Sequence, residues 1–576
     1  MIKGYISRIK FSGGLCVDLS NDSLFVIIGP NNAGKSATLA EIRDLVSSKS
    51  SPTLLLSDLE LVRNSSLDDI RAQLSPAKNE QGNYNIAGHH FADGSLNHWW
   101  SEAGGGIGGV LTTLLISNLD TRSRLGDCDP PASFNARNRH AADHPFQRMY
   151  ADDSLEQKTS SAVKRAFKRD LVIHRAASQN IPAYIGDRPK KSKGEESISR
   201  SYLDRLEKLD QLEKQGDGIR SFVSIVGRVI TENRSIQLID EPEAFLHPPQ
   251  ARLVAEIVAS EAGGRQTFIA THSSDILQGL LGSHPNRVSV VRLARTKNGG
   301  RADLLTSADI ETLWRDPILR FGKVLDGLFH DGVVVTEADG DCRFYETIMA
   351  ASTSIEQRND LHYTYSGGKE RIPVLVKALR CLKVPVATIV DFDVLNAENP
   401  LRRIVDAHGG DWSKIEPDWT ALKNSVEEGS AFVSGDKFKE QIKKILIKIP
   451  PGGIVPKDIL AEVKKLTRNA SPWDFAKNSG LRAINTGQST RQANALLSSL
   501  KALGIFVAPF GQMEGFCRTL DMKGSRWVEE VLRRDLCNDP ELADARTFVA
   551  EIAAYLGDTN GASPKHRRLS RPTTLM

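Results

Sequence analysis

Residues 25–38 read FVIIGPNNAGKSAT, and they decide the fold of this chain. An apolar, β-branched run at 25–28 breaks at Gly29. Gly34, Lys35 and Ser36 follow, and a helical pattern begins with Ala37, Leu39, Ala40, Ile42 and Leu45. Strand, glycine loop and helix in that order are the setting in which a lysine–serine pair closes a phosphate-binding loop. The glycines let successive backbone N–H groups turn toward an anion without Cβ interference. The helix N-terminus adds the positive end of its dipole. In this arrangement Gly29, Asn31, Asn32, Gly34 and Ala37 border the nucleotide. Lys35 reaches the β- and γ-phosphates, and the Ser36 hydroxyl is a ligand for Mg²⁺. The stretch predicts binding of a nucleoside triphosphate with Mg²⁺.

At 576 residues a single core is not expected, and about 150 residues per domain suggests roughly two to four domains. An apolar fraction of 40% and a charged fraction of 25% are those of an ordinary soluble protein. The net charge of +4 permits nucleic-acid binding without arguing for it. Six scattered cysteines (Cys16, Cys128, Cys342, Cys381, Cys517 and Cys537) form no CxxC pair, which predicts reduced thiols and a cytoplasmic protein. No signal-like apolar core opens the sequence, and nowhere do roughly eighteen apolar residues run together, so no membrane association is expected.

Ahead of the loop, Tyr5, Ile9 and Phe11 alternate in one segment and Leu15, Val17 and Leu19 in another. Gly13 and Gly14 between them predict a hairpin. Residues 60–215 read as a helical insertion. Within it GGGIGG at 104–109 lacks a following lysine and reads as a flexible loop. His89, His90, His98, His140 and His144 fit no zinc spacing. Arg188, Lys190, Lys191 and Lys193 form a basic loop, a solvated face or a contact for a DNA backbone. Leu203, Leu206, Leu209 and Leu212 predict a packed helix over 202–214. It leads into QGDGIRS at 215–221, where Gly216 and Gly218 open another helix. Residues 236–241, IQLIDE, are an apolar strand ending in two acids, followed by Pro242, Glu243, Leu246, His247 and Pro248. Asp240 is placed to hold Mg²⁺ through water, and Glu241 to polarise an attacking water. A strand at 267–270 then ends in Thr271, His272 and Ser273.

A phosphate loop containing Asn31 and Asn32, a glycine loop, an acidic strand end and a histidine after a strand, in that order, resemble the ABC-type ATPase heads of RecF and SMC proteins. The resemblance covers residues 1 to about 305. It implies that Gly216 and Gly218 stand where such heads carry a signature loop, although the residues depart from LSGGQ. It implies that His272 is the switch histidine against the γ-phosphate. Such heads sandwich ATP between two subunits, so a homodimer or higher homo-oligomer through the heads is implied.

A second chemistry follows a helical bridge at 306–330. TEADGD at 336–341 closes a short apolar strand and places Glu337 at its end, with Asp341 one helical turn beyond. A strand at 361–365 ends in Gly367, Gly368 and Lys369, and one at 384–390 ends in DFD at 391–393. Carboxyl ends of parallel strands converge on one crevice, so Glu337, Asp391 and Asp393 are expected to meet there. Hard carboxylates without histidine or cysteine favour Mg²⁺ or Mn²⁺.

The glutamate motif and the later DxD resemble the Toprim fold. An ABC-type head followed by Toprim resembles the OLD (overcoming lysogenization defect) family nucleases, which include the nuclease of the Gabija phage-defence system. The fold class implied is α/β: an ABC-type P-loop head with a helical insertion, then at 331–557 a Rossmann-like parallel Toprim sheet with a helical insertion at about 400–500, then a basic, disordered tail at 558–576. The family usually has glycine where this chain has Ala338. It implies a further metal-binding glutamate, for which Glu514 is the candidate, and a late lysine at the scissile phosphate, for which Lys523 is chosen; Lys523 or Lys369 would offset charge in the transition state. The expected activity is ATP-gated, metal-dependent cleavage of double-stranded DNA in anti-phage defence, with a helicase or other defence protein as a possible partner. Two other readings keep the ATPase without cleavage: a RecF- or SMC-like DNA-binding ATPase with a Toprim scaffold, or an ATP-sensing platform for a partner toxin or helicase.

Overall fold

The computed structural model describes residues 2–561 apart from 76–77, 80, 87–88, 102–105, 135–142, 177–178, 297–298, 306–322, 353–359, 429–434, 450–454, 470–471 and 485–486. The chain forms two compact units, residues 1–312 and 313–576.

The first unit is built on a six-stranded sheet in the order Gly299–Leu305, Val288–Thr296, Leu24–Ile28, Gln266–Ala270, Ile236–Asp240 and Ile116–Leu119. All neighbours pair parallel except the first two strands, which are antiparallel. Every residue of the Leu24–Ile28 strand is buried, as an unbroken apolar run requires when a strand is covered on both faces. Ala270 pairs with Ile27 on one side and with Asp240 on the other, so three strand ends lie on one rung. The N-terminal hairpin forms as expected, Gly4–Phe11 against Cys16–Asp18, with Leu56–Arg63 completing a small antiparallel sheet.

Residues 60–215 hold helices, Asp153–Phe167 the longest, but not the purely helical insertion expected. Ile116–Leu119 belongs to the main sheet, and Asp170–Ile173, Ala183–Gly186 and Asp210–Gln211 form an antiparallel sheet of their own. Such short β-branched runs look alike whether they pack in helices or strands, and tertiary pairing decided for strands. The flexible loop expected at 104–109 also differs. Residues 104–105 lie outside the described ones, but Gly108 and Gly109 begin the helix Gly108–Leu115, which buries Val110, Leu111 and Leu115. The helix expected over 202–214 spans only Arg200–Leu206. Asp210 and Gln211 leave it to pair with Ile185 and Tyr184.

His144 has a structural task. Its Nδ1 accepts the N–H of Phe146 at 3.1 Å, and its own N–H donates to Gln147 Oε1 at 3.0 Å, which caps the helix Pro145–Ala151. Burial pushes the imidazole from its ordinary 6.5 down to about 4. The unfolded chain therefore takes up this proton first, and the stability that the neutral ring contributes is lost as pH falls from 6.5 toward 4. Thermal melts over that range are expected to show a falling Tm that His144→Asn, which still caps, makes shallower.

The second unit holds a four-stranded, wholly parallel sheet in the order Leu361–Tyr365, Gly332–Thr336, Val386–Val390, Ile505–Val507. Phe344, Tyr345, Phe506, Phe516, Trp527 and Phe548 pack into its core. Between the third and fourth strands the chain is helical, as expected, through Glu398–Ala407, Trp412–Glu428, Gly435–Leu446, Lys457–Asn469, Pro472–Ser479 and Gln488–Leu503. Most of the bridge expected at 306–330 lies outside the described residues, and Lys323–Phe329 forms a 3-10 helix. The expected disordered tail starts too early, because the helix Ala543–Gly561 includes 558–561, and the rest of it lies outside the described residues. No helix among the described residues is long and apolar enough to cross a membrane.

Candidate nucleotide and metal sites

In the first unit the phosphate loop alternates backbone signs. Asn32 has φ +59° and Gly34 φ +97°, a sequence that turns N–H groups inward. Gly29, at φ +144°, passes so close to the next strand that a Cβ would lie 2.2 Å from the Leu293 carbonyl oxygen. Lys35 opens the helix Lys35–Ser47 and is nearly buried. Its Nζ donates to the carbonyls of Gly29 and Pro30 at 3.0 and 2.9 Å. Burial lowers its pKa, while Glu241, Glu243 and Asp240 oppose the shift.

The structure joins Ser36 to Asp240. The hydroxyl donates to Asp240 Oδ1 at 2.9 Å, and burial raises that carboxyl against the hydrogen bond. A hydroxyl and a carboxylate at hydrogen-bond distance beside a lysine fit the donor set that Mg²⁺ takes with a nucleotide. Glu241 follows in the left-handed region at φ +46°, a strained position for glutamate. Its N–H donates to the Ala270 carbonyl at 2.8 Å. His272 Nδ1 lies 3.6 Å from Glu241 Oε1 and 3.0 Å from Glu243 Oε1. Gly216 caps, and Gly218 lies in, the helix Asp217–Thr231. That helix is tied to the loop after Glu241, where Ser221 Oγ donates to the Ala244 carbonyl at 3.0 Å.

Sequence reasoning missed Arg124. It follows the Ile116–Leu119 strand, is only 1% exposed, and donates to the carbonyl of Asp240 and, at 2.9 Å, to that of Glu241. The guanidinium thus braces both peptide groups at the acidic strand end.

In the second unit Glu337, Asp391 and Asp393 meet as the strand order requires. Each has a carboxylate oxygen within 4.8 Å of the others, the one such group of possible metal ligands among the described residues. The N–H groups of Gly367 and Gly368 donate to the Glu337 carbonyl at 3.0 Å each, and the Asp391 N–H reaches Glu337 Oε1 at 3.4 Å. Burial first, then Glu337, Asp341 and Asp393, pushes Asp391 up to about 8. Burial and Asp393 likewise raise Glu337. Buried hard carboxylates that repel one another fit a divalent cation.

Asp341 stands apart from this trio. Its Oδ2 accepts the Ala338 N–H at 3.0 Å, and burial pushes it up to about 6, with Glu514 adding to the shift. Glu514 Oε1 accepts the Gly524 N–H at 2.9 Å. Ala338 is not among the described non-glycine residues with positive φ, so its Cβ sits on ordinary backbone. Lys523 donates to Asn478 Oδ1 at 2.7 Å. The lysine on the carboxylates is instead Lys477, at 2.7 Å from Asp393 Oδ2, with Lys369 at 3.7 Å from Oδ1. Lys477 comes from the helix Pro472–Ser479, whose end presses on the loop after the last strand. The Leu481 N–H donates to the Pro509 carbonyl at 2.9 Å, and a Cβ on Gly511 would lie 2.1 Å from the Lys477 carbonyl oxygen.

A family model described as "AAA domain, putative AbiEii toxin, Type IV TA system" matches residues 135–277, the stretch that carries the acidic strand end and His272. That match covers about a quarter of the chain and lies within the first unit. Similar solved structures include an Smc head bound to the C-winged helix domain of ScpA, at 11% identity over 54% of this chain and 99% of that one, with a TM-score of 0.34. The SMC head domain from Thermotoga maritima shares 12% identity over 52% and 99%, with a TM-score of 0.28. An ATP-binding cassette of an ABC transporter in its ADP conformation shares 12% identity over 55% and 97%, with a TM-score of 0.25. No curated protein matches the chain.

Proposed function

We propose that this chain is an ATP-dependent or ATP-gated, metal-dependent DNA endonuclease of the OLD type, with an ABC-type head in its first unit and a Toprim-type nuclease in its second, serving anti-phage defence. The observation that carries the nuclease is the convergence of Glu337, Asp391 and Asp393 within 4.8 Å at the carboxyl ends of adjacent parallel strands. Mg²⁺ or Mn²⁺ held there would activate water and stabilise the departing oxygen at a scissile phosphate. Around it, Asp341 and Glu514 extend the acidic wall. Lys477 and Lys369, already on Asp393, are placed to exchange that carboxylate for a phosphate oxygen and offset charge in the transition state. In the head, Lys35 and Ser36 would hold the phosphates and Mg²⁺, Asp240 would hold the metal through water, and Glu241 would polarise the attacking water beside His272. Dimerisation through the heads, with Gly216 and Gly218 facing a partner's nucleotide, belongs to the same proposal.

One observation favours a second reading, a DNA-binding ATPase whose second unit is a scaffold. The Lys477 ammonium neutralises Asp393 at 2.7 Å, the service a metal would otherwise perform. Supercoiled and linear double-stranded DNA incubated with Mg²⁺ or Mn²⁺, with and without ATP, separates the two. Cutting that requires the metal is the expected result. Intact DNA in every lane, with ATP still hydrolysed, would leave the scaffold standing.

A further inference from the structure

Glu243 lies two residues beyond the glutamate assigned to water activation, and its position fits the hydrolytic site. It is 9% exposed. Its Oε1 accepts the Thr271 hydroxyl and the His272 N–H, each at 2.8 Å, and lies 3.0 Å from His272 Nδ1. Its Oε2 is buried and has no hydrogen-bond partner among the described residues. One oxygen therefore gathers the backbone, the hydroxyl and the ring of consecutive residues at the end of the Gln266–Ala270 strand. The ring Nδ1 stands 3.0 Å from this oxygen as a charge contact, and the carboxylate favours a proton on that nitrogen. A proton on Nδ1 would leave Nε2 as the ring's acceptor.

We infer that Glu243 is a positioning residue for ATP hydrolysis, which fixes the Nδ1–H tautomer of His272 and so presents Nε2 as an acceptor to the attacking water. The inference rests on the ATPase assignment and deepens it. In the reaction the water oxygen bonds to the terminal phosphorus as the bond from phosphorus to the ADP oxygen breaks. Glu241 takes one proton of the water, and Nε2 holds the other hydrogen in line. Glu243 touches neither water nor nucleotide. Its effect passes entirely through the ring, as a carboxylate behind a histidine acts elsewhere.

The full chain is tested in single-turnover ATP hydrolysis as a double-mutant cycle. Glu243→Ala is expected to slow hydrolysis about 10- to 100-fold with ATP affinity changed less than about twofold. In a His272→Ala background the same substitution is expected to cost less than about twofold, because the ring through which it acts is gone. Equal losses in both backgrounds would overturn the inference, as would a loss in affinity alone. Glu243→Gln keeps an oxygen at Oε1 and is expected to hydrolyse within about threefold of wild type. A second readout needs no Glu243 variant to fold. Ring ¹⁵N spectra of the histidine-labelled protein, assigned by difference with His272→Gln, are expected to show the Nδ1–H form, and an Nε2–H form would refute the inference. A protein that hydrolyses no ATP at all would count against the ATPase assignment, and the ring spectrum would still decide the role of Glu243.

Discussion

Lys35→Ala is expected to weaken ATP binding by at least about 100-fold and to remove measurable hydrolysis. The ammonium is buried at the mouth of the loop, where it holds the Gly29 and Pro30 carbonyls and faces the field of Glu241, Glu243 and Asp240. A phosphate arriving at the inward N–H groups gains this cation in a partly desolvated site, where charge-assisted hydrogen bonds are strong. Two such bonds at about 1.5–3 kcal/mol each correspond to roughly 10²- to 10⁴-fold in affinity. The three acids beside the loop sharpen the effect. Without Lys35 the anion meets Asp240, Glu241 and Glu243 with less positive charge to offset them. Lys35→Met keeps most of the buried stem, so the two variants separate lost charge from a lost packing element. Both are expected to lose ATP, with Met the more stable in thermal melts. Titration with a fluorescent ATP analogue measures the affinity, and a dissociation constant within fivefold of wild type would remove Lys35 from the site.

Both clusters of polar residues were legible in the sequence because each is local. A strand, a glycine and a lysine lie within one stretch, and acids at strand ends need only the topology to bring them together. Parallel pairing of Gly332–Thr336 with Val386–Val390 then delivers Glu337 to Asp391. What stayed hidden are the long-range partners. Arg124 reaches the Asp240 carbonyl across 116 residues, from a region whose short strands read as helix. Lys477 reaches Asp393 across 84 residues. A lysine on an amphipathic helix looks like any solvated lysine until the fold sets that helix against the acids. Lys523 stands near a glycine and a tryptophan late in the chain, but its ammonium is held by Asn478. The glycines that admit Lys477 are visible in sequence, yet nothing in the sequence says which carbonyl each one faces.

Asp391→Asn is expected to abolish metal-dependent DNA cleavage, by at least about 10³-fold, while making the metal-free protein more stable. The two effects have one cause. Asp391 is buried among Glu337, Asp341 and Asp393, and their field with desolvation lifts its pKa to about 8, so its ionised form is disfavoured without a cation. The amide has the same shape and no charge, and it removes this repulsion together with the ligand. In EDTA the variant should therefore melt above wild type. On adding Mn²⁺, wild type should gain stability with concentration, since a cation that binds only the folded state stabilises by mass action. The variant should gain far less. Glu337→Ala is expected to lose cleavage equally, but to gain less stability, because it opens a cavity and strands the Asp391 N–H that Glu337 Oε1 now accepts. The second unit is a scaffold if Mn²⁺ moves neither protein's Tm and Asp391→Asn alone raises it. Lys477, with Lys369 beside it, is then the counter-charge the cluster holds. A wild-type Tm that climbs with Mn²⁺, a variant that does not follow, and DNA cut only by the former would make Lys477 the cation that steps aside.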